Sequence, residues 1–102
     1  MDLRSITGFD WDTGNKRKNE KHGVSQAEVE EVFLHKPIFL VRDEQHSQSE
    51  ERYLALGVSG EGRLLHIAFT LRGGRTKIRP ISARPMSRKE RATYEKASQE
   101  NT

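Results

Sequence analysis

Two alternating segments on either side of a glycine pair constrain the fold of this chain more than any other feature. In the first segment, Arg63 to Leu71, every second residue is apolar. These apolar positions are Leu65, Ile67, Phe69 and Leu71. Such alternation is typical of a strand with one buried face. Because glycine tolerates the positive φ angles of a primed turn, Gly73-Gly74 predicts a two-residue hairpin loop before a last strand, Arg75 to Ala83.

Helix starts and stops are marked by capping and breaking residues. Asp12 is placed to cap a helix from Thr13 to about Lys21, which His22-Gly23 would end. Two further helices are predicted by capping boxes, in which a serine and the glutamate three residues later satisfy each other's backbone N–H groups. These boxes are Ser25-Gln26-Ala27-Glu28, whose helix ends before Pro37, and Ser87-Arg88-Lys89-Glu90, whose helix runs to about Ala97.

Three shorter strands complete the pattern. They are predicted at Ile6–Trp11, at Ile38–Val41 and at Arg52–Ser59, where Leu54, Leu56 and Val58 alternate. The order β-α-α-β-β-β-β-α indicates an α+β protein with an antiparallel sheet of four to five strands and helices packed mainly on one face. A length of 102 residues with 32% hydrophobic residues fits a single domain, residues 1–102.

Positive charge is concentrated towards the end of the chain. Nine Lys and Arg residues lie between Arg72 and Lys96, against two glutamates, although the whole chain carries only +3. A second basic cluster lies at Lys16-Arg17-Lys18 and Lys21-His22. A basic surface of this kind favours a polyanion such as nucleic acid, and the alternative is a solvated charged face.

The hairpin register predicts where the cations lie. If Arg72 opposes Arg75, then Thr70 opposes Lys77 and Ala68 opposes Arg79, which gathers these cations on the face that the helices leave open. Like charges that oppose each other in a sheet are unfavourable, so an anionic ligand is indicated, with protection of a strand edge as the alternative. Pro80 cannot donate a ladder hydrogen bond, and a bulge there would turn Ser82 and Arg84 to the cationic face.

Several classes of chemistry are disfavoured by the composition. The chain has no cysteine, its histidines are scattered, and no metal-ligand spacing or cofactor motif is present. No apolar run is long enough to span a membrane, and the N-terminus lacks the apolar core of a signal peptide. We therefore expect a cytoplasmic protein that uses no metal and no cofactor and does not associate with membranes.

RNA cleavage without a metal is the reaction that these residue types suit. A 2′-hydroxyl attacks the adjacent phosphate, and the enzyme neutralises the phosphorane and moves two protons. Among the histidines, His22 is the candidate acid or base, with a helix cap as the alternative, while His66 is expected to be structural and His46 idle. Tyr94 has three open interpretations: packing, RNA stacking or proton donation.

Several segments, in the right order, resemble the BrnT family of ribonuclease toxins. The resemblance is carried by Phe9-Asp10-Trp11-Asp12, Asn15-Lys16, Asn19 to Val24, Glu28 to Phe33, Glu51-Arg52-Tyr53 with Gly57, Phe69 to Arg72, Arg79 to Arg84, Glu90-Arg91 and Tyr94. Pro80 departs from the pattern, which usually has an aliphatic residue there.

This resemblance implies a RelE-like fold and a metal-independent endoribonuclease that inhibits translation and growth. It also implies a type II toxin neutralised by a cognate BrnA-like antitoxin, with operator DNA contacted only through the complex. The predicted catalytic residues, at family-motif positions, are Lys21, His22, Arg72, Arg79, Ser82 and Arg84.

Within that set, the arginines are expected to bind phosphate and stabilise the transition state. Lys21 and His22 are expected to transfer protons or to bind phosphate, and Ser82 is expected to be an orienting hydrogen-bond partner. Additional RNA contacts are predicted at Lys16, Arg17, Lys18, Arg75, Lys77, Arg91 and Tyr94. Two rival functions remain: a non-catalytic nucleic-acid-binding module, and a protein whose basic face only docks an acidic antitoxin segment.

Overall fold

The computed structural model describes residues 3–100 and contains three α-helices and five strands within them. In chain order the elements are β1 Gly8–Phe9, α1 Thr13–Glu20, α2 Gln26–Leu34, β2 Phe39–Arg42, β3 Tyr53–Val58, β4 Leu64–Arg72, β5 Lys77–Pro85 and α3 Arg88–Glu100. Short 3₁₀ turns lie at Leu3–Ser5 and Glu44–His46. The α+β class and the predicted order of elements along the chain are therefore confirmed, while a RelE-like fold stays a prediction.

The sheet is mixed, so the prediction of an antiparallel sheet is wrong at one edge. Its strand order is β1-β5-β4-β3-β2, and β2 to β5 pair antiparallel. Strand β1 runs parallel to β5, with Gly8 beside Lys77 and Phe9 beside Ile78. Backbone hydrogen bonds extend this short pairing, from the Thr7 N–H to Thr76 at 2.7 Å and from the Asp10 N–H to Ile78 at 2.8 Å. Two helices and three strands separate β1 from β5 in the chain, so no tight turn forces this pair to be antiparallel.

The β4–β5 loop has four residues, not the two that were predicted. Gly73, Gly74 and Arg75 all adopt positive φ, and the Thr76 N–H donates to the Arg72 carbonyl at 3.1 Å. Arg72 consequently opposes Lys77 rather than Arg75. The register from Lys77 to Pro80 therefore differs by two residues from the predicted one, and because side chains alternate with a period of two, the side chains of this part keep their predicted faces.

A bulge interrupts the β4–β5 ladder immediately after Pro80. Phe69 opposes Pro80, whereas Ala68 opposes Ser82, so Ile81 is the additional residue. Ala83 then lies in the buried core, and Ser82 and Arg84 share the face of Arg79. The structure thus adopts the bulged alternative that the sequence left open.

The core lies between the sheet and α2. Val29 and Val32 of α2 are fully buried and cluster with Ile67, Phe69 and other inward side chains of the sheet. Phe33 packs its ring edge against Phe69 at 5.1 Å. The close approach of α2 explains Gly57, where a Cβ atom would lie 2.7 Å from the Val32 Cγ1 atom.

The last helix, α3, lies on the face of the sheet opposite to α2. The prediction that the helices pack mainly on one face therefore does not hold for α3. Phe39, Leu56, His66 and Arg84 form one cross-strand row, and the neighbouring row through Ala55 and Ile67 faces the core. Tyr94 of α3 packs against Phe39 with ring centroids 5.5 Å apart. Helix α3 therefore covers the β2–β3 part of the face that the sequence predicted to be open.

The predicted caps are largely confirmed. Asp12 and Asn15 satisfy each other's backbone N–H groups at the start of α1, and Ser87 and Glu90 do so at the start of α3. Ser25 caps α2, but the Glu28 carboxylate pairs with Arg63 at 2.6 Å instead of completing a capping box. Within residues 3–100, no helix is long and apolar enough to cross a membrane.

Candidate functional site

A cleft opens on the sheet face beside α1, at the end of β4 and β5 nearest their hairpin loop. Its volume is about 600 Å³. We call it the cationic cleft, and its lining consists of Asp12, Thr13, Gly14, Asn15, Lys18, Glu50, Arg52, Thr70, Arg72, Arg79, Pro80 and Ile81. Four of these side chains are cationic and two are carboxylates, so the cleft carries a net positive charge.

Arg79 lies at the α1 side of the cleft and is held by two carboxylates. Its Nη2 atom donates to the Asp12 Oδ2 atom at 2.6 Å, and its Nη1 atom lies 3.4 Å from an Asp10 carboxylate oxygen. The hydrogen bond to Asp12 raises the pKa of Arg79, so this side chain stays charged. The pKa of Asp12 is lowered, first by the Asn15 backbone N–H and then by Arg79.

Arg72 lies on the neighbouring strand and pairs with Glu50 from the loop between β2 and β3. Both side chains are 41% exposed, so an incoming anion could compete for the guanidinium. The Thr70 hydroxyl, which is buried, donates to the Glu51 carbonyl at 2.7 Å and fixes the end of that loop. Arg52, the last residue of the loop, adds a further guanidinium to the cleft.

Helix α1 contributes Lys18 to the cleft, but not the residues predicted to transfer protons. Lys21 is the C-cap of α1, three residues after Lys18 and therefore on the same side of the helix. His22 follows in the turn that Gly23 ends with a positive φ. Both side chains are exposed and neither lines the cleft. Lys16 and Arg17 are exposed on α1, outside the lining.

Arg84 lies on the same sheet face as Arg79 but in a different environment. It opposes His66, four residues along β4 from Thr70, which corresponds to about 13 Å of strand. Both of its Nη atoms donate to Glu90 of α3, at 2.8 and 2.9 Å, and the His66 Nε2 atom lies 3.7 Å from the same carboxylate. We refer to these three residues as the Arg84 cluster. Ser82 lies between the cleft and this cluster, opposite Ala68.

The Arg84 cluster shifts the titration of two of its members. The hydrogen bonds from Arg84, assisted by the Ser87 backbone N–H, lower the pKa of Glu90 to about 2. Burial, followed by the charge of Arg84, lowers the pKa of His66 below its ordinary value. His66 is therefore held neutral beside an ionised glutamate, which fits the structural role that the sequence predicted for it.

The remaining predicted RNA contacts are scattered around the molecule. Arg75 is exposed in the hairpin loop, where it lies near Glu51, and the ammonium group of Lys77 lies beside Gly8. Arg91 lines a separate groove with Arg63 and Met86. Tyr94 is only 5% exposed, and its hydroxyl donates to the Pro37 carbonyl at 2.7 Å. The burial of Tyr94 and its edge-to-face contact with Phe39 favour the packing interpretation, and its contact with RNA stays a prediction.

Sequence reasoning missed three charged residues of the cleft. Arg52 and Glu50 come from a polar loop that has no periodicity, and only the family motif Glu51-Arg52-Tyr53 pointed to that region. Asp12 was recognised as a helix cap, but nothing local in the sequence shows that it also binds Arg79. Within residues 3–100, no group of three or more His, Asp or Glu side chains is arranged to hold a metal ion.

The comparison with protein families identifies the chain. The model of the ribonuclease toxin BrnT, of type II toxin–antitoxin systems, matches residues 11–90. The chain belongs to the BrnT family. Membership in the BrnT family implies RNA as the substrate and an antitoxin protein as the partner. Comparison with curated proteins gives no match.

All residues that line the cationic cleft fall within the BrnT match, as does the Arg84 cluster. Arranged as they are, the cleft side chains suit an anion that approaches between α1 and the hairpin. Guanidinium groups bind phosphate oxygens in a planar, two-pronged geometry, and an ammonium group adds a mobile positive charge. The charged composition of the cleft is therefore compatible with a phosphodiester.

Proposed function

We propose that this chain is a metal-independent endoribonuclease toxin that binds the RNA backbone in the cationic cleft. The observation that carries the proposal is the convergence of four cationic side chains from α1, from the loop that precedes β3, from β4 and from β5. These side chains are Lys18, Arg52, Arg72 and Arg79. Cleavage of cellular RNA would inhibit translation and growth, and a cognate DNA-binding antitoxin of the BrnA type would neutralise the toxin and carry it to operator DNA.

In the proposed reaction, a 2′-hydroxyl oxygen attacks the adjacent phosphorus. The new O2′–P bond forms while the P–O5′ bond breaks, which leaves a 2′,3′-cyclic phosphate and a 5′-hydroxyl. One proton leaves the 2′-oxygen and one reaches the departing 5′-oxygen. Arg72 and Arg79 would stabilise the charge that develops on the phosphorane, which is the largest contribution that fixed donors make to such reactions.

Proton transfer is assigned to Lys21 or His22, at the end of α1. Both side chains are exposed and lie beyond Lys18, the last residue of α1 that lines the cleft. For either side chain to reach the reacting oxygens, the scissile phosphate would have to lie on the Lys18 side of the cleft, towards the end of α1. Ser82, next to the cleft on the same sheet face, would orient the RNA by a hydrogen bond.

Cleavage of a defined single-stranded RNA in EDTA tests the proposal. The purified chain is compared with the double variant Arg72→Ala/Arg79→Ala, for which we expect a loss of about a hundredfold or more in rate. A second double variant, Arg88→Ala/Lys89→Ala, removes the same charge from exposed positions on α3 and should cleave like the original chain. Mass spectrometry should identify the cyclic phosphate product.

Other outcomes would overturn parts of this assignment. Cleavage that disappears in EDTA would contradict metal independence. Equal cleavage by the chain and the cleft variant would place the site elsewhere. RNA binding without cleavage would favour the non-catalytic module, and antitoxin binding without RNA binding would favour the docking protein.

A further inference from the structure

Asp12 forms two kinds of hydrogen bond at once. Its Oδ1 atom accepts the Asn15 backbone N–H at 3.0 Å, and the Asn15 side chain accepts the Asp12 N–H at 2.7 Å, which completes the cap of α1. Its Oδ2 atom accepts from Arg79 at 2.6 Å. One carboxylate therefore links the start of α1 to the guanidinium of Arg79.

The segment that contains Asp12 is fixed to β5 at two further points. The Asn15 Nδ2 atom donates to the Pro80 carbonyl at 2.9 Å and to the Asp10 carbonyl at 3.0 Å, and Asn15 is only 5% exposed. The Asp10 N–H donates to the Ile78 carbonyl at 2.8 Å. These bonds lie on both sides of Arg79 along the strand, so Asp12 is held at a fixed position relative to the Arg79 backbone.

Such an arrangement has a benefit and a cost for an arginine that binds phosphate. A free arginine side chain loses rotamer entropy when it is ordered by a ligand, whereas Arg79 is ordered before the ligand arrives. Its guanidinium has five N–H donors, so donors remain after the contacts with Asp12 and Asp10. The cost is that a negative carboxylate stays close to the incoming phosphate.

We propose that Asp12 is a positioning residue for RNA cleavage, which holds the Arg79 guanidinium in the orientation that the phosphorane needs. This inference rests on the proposed function. Because Asp12 acts on orientation and its charge opposes the substrate, removing the charge should lower kcat without weakening RNA binding. A residue that only capped the helix would affect folding and leave kcat of the folded protein unchanged.

The variants Asp12→Asn and Asp12→Ser test the proposal. Asparagine and serine cap helices about as well as aspartate, so α1 should persist, but neither offers a charged oxygen to Arg79. We expect kcat to fall at least about tenfold in both, with an equal or lower KM, at a temperature where circular dichroism shows full folding. Glu44→Gln is the matched control, because it removes the same charge from an exposed glutamate–arginine pair outside the cleft.

A second readout does not depend on activity. In ¹⁵N–¹H spectra, the Arg79 Nη groups should rotate slowly in the original chain and faster in both Asp12 variants, while Glu44→Gln should leave them unchanged. A kcat within about twofold of the original in folded Asp12→Asn would overturn the inference. If the original chain does not cleave RNA, the proposed function fails, and unchanged Arg79 rotation in the variants would separately show that Asp12 does not hold this side chain.

Discussion

The cationic cleft and the Arg84 cluster use the same kind of residue on the same strand face in different ways. Arg79 and Arg84 both bind a carboxylate at the start of a helix, the N-cap Asp12 before α1 and Glu90 in the first turn of α3. Arg79 donates one Nη atom to Asp12, has the other 3.4 Å from an Asp10 carboxylate oxygen, and lies in a cleft with three other cations. Arg84 uses both Nη atoms for Glu90, with His66 beside the pair.

This difference teaches that the position of an arginine on the face does not decide its role. What decides it is how much of the guanidinium is left for a ligand and whether other cations face the same space. Asp10 and Asp12 neutralise Arg79 itself, but the four cations of the cationic cleft outnumber these carboxylates and Glu50, so an anion improves the electrostatics of the cleft. Around Arg84 the ion pair and the capping box are both complete, so a phosphate would have to displace Glu90 from two arginine bonds and from the Ser87 N–H.

Exchange of Arg79 for lysine gives the largest expected effect on activity in this comparison. Arg79→Lys keeps the charge but loses the planar fork, so one ammonium group must serve both Asp12 and the phosphate. We expect cleavage to fall by about tenfold to a hundredfold with little change in Tm. The measurement is the rate of cleavage of a defined RNA, together with a thermal melt of each variant.

Arg84→Lys is the matched variant at the other end of the face. Its expected result is the reverse, a lower Tm with cleavage per folded molecule within about twofold of the original. Reduced cleavage at an unchanged Tm would instead support the sequence-based prediction that Arg84 binds phosphate. The pair therefore tests directly whether the two arginines differ as their contacts indicate.

Loss of Glu90 should have the largest effect on stability. Glu90→Ala removes the capping partner of Ser87 and leaves Arg84 and its neighbours without their carboxylate, at a cost of about 2–3 kcal/mol. For a chain of this size that lowers Tm by roughly 10 °C or more. Glu90→Gln keeps a side chain that can complete the capping box, so it should lower the free energy of unfolding by about half as much as Glu90→Ala.

Glu95→Ala controls for a generic loss of acidic charge from α3, because Glu95 is exposed on the same helix. It should change the free energy of unfolding by no more than about 0.5 kcal/mol. Equal destabilisation by Glu90→Ala and Glu95→Ala would show that the Arg84 cluster contributes nothing beyond surface charge. Urea unfolding at pH 7 gives these values.

The order of elements could be predicted because the signals for it are local. Asp12, Ser87 and the alternation in β4 each act within a few residues, and each was confirmed. The parallel β1–β5 edge could not be predicted, because it depends on a two-residue pairing between positions about seventy apart in the chain. The predicted loop length was wrong because the turn continues through Arg75, which adopts a positive φ although it is not a glycine.

The position of α3 was missed because β3 is apolar on both faces. The alternation of Leu54 and Leu56 predicted that these side chains face the core. Ala55 and Gly57 face it instead, because small residues allow α2 to approach closely. For the site, the sequence correctly predicted that Arg72 and Arg79 share one face of the sheet. The predicted loop was two residues too short, and an error of two residues does not change which face a side chain occupies. The partners of the arginines, and hence their roles, depend on loops and helices that no periodicity describes.

The Arg84 cluster should also dominate the response to acid. A lowered pKa means that Glu90 contributes stability above about pH 4.5, the ordinary value, and loses it as the pH falls towards 2. His66 affects stability at higher pH, because its pKa in the folded protein is lowered. As the pH falls below 6.5, the unfolded chain binds a proton at His66 before the folded chain does, and the free energy of unfolding decreases. Stability should therefore decline in two stages as the pH falls from 7.

Unfolding by urea at several pH values between 7 and 3 checks this expectation. His66→Gln should flatten the upper stage, and Glu90→Gln should reduce the lower one. Glu90→Gln should not abolish the lower stage, because the pKa values of Asp12 and Glu51 are lowered too. A lower stage of undiminished size in Glu90→Gln would mean that the carboxylates around the cationic cleft, rather than the Arg84 cluster, set the acid stability.

Tyr94→Phe has the smallest expected effect and tests how far the RNA-binding face extends. The change removes the hydrogen bond from the Tyr94 hydroxyl to the Pro37 carbonyl and leaves the ring against Phe39, so it should cost about 1 kcal/mol of stability. Because the ring is buried under α3, RNA affinity should not change. Fluorescence titration with a labelled RNA, performed well below the Tm of the variant, measures that affinity. A weaker affinity in Tyr94→Phe would mean that α3 moves off β2 when RNA binds, and the binding face would then reach from the cationic cleft to the Arg84 cluster.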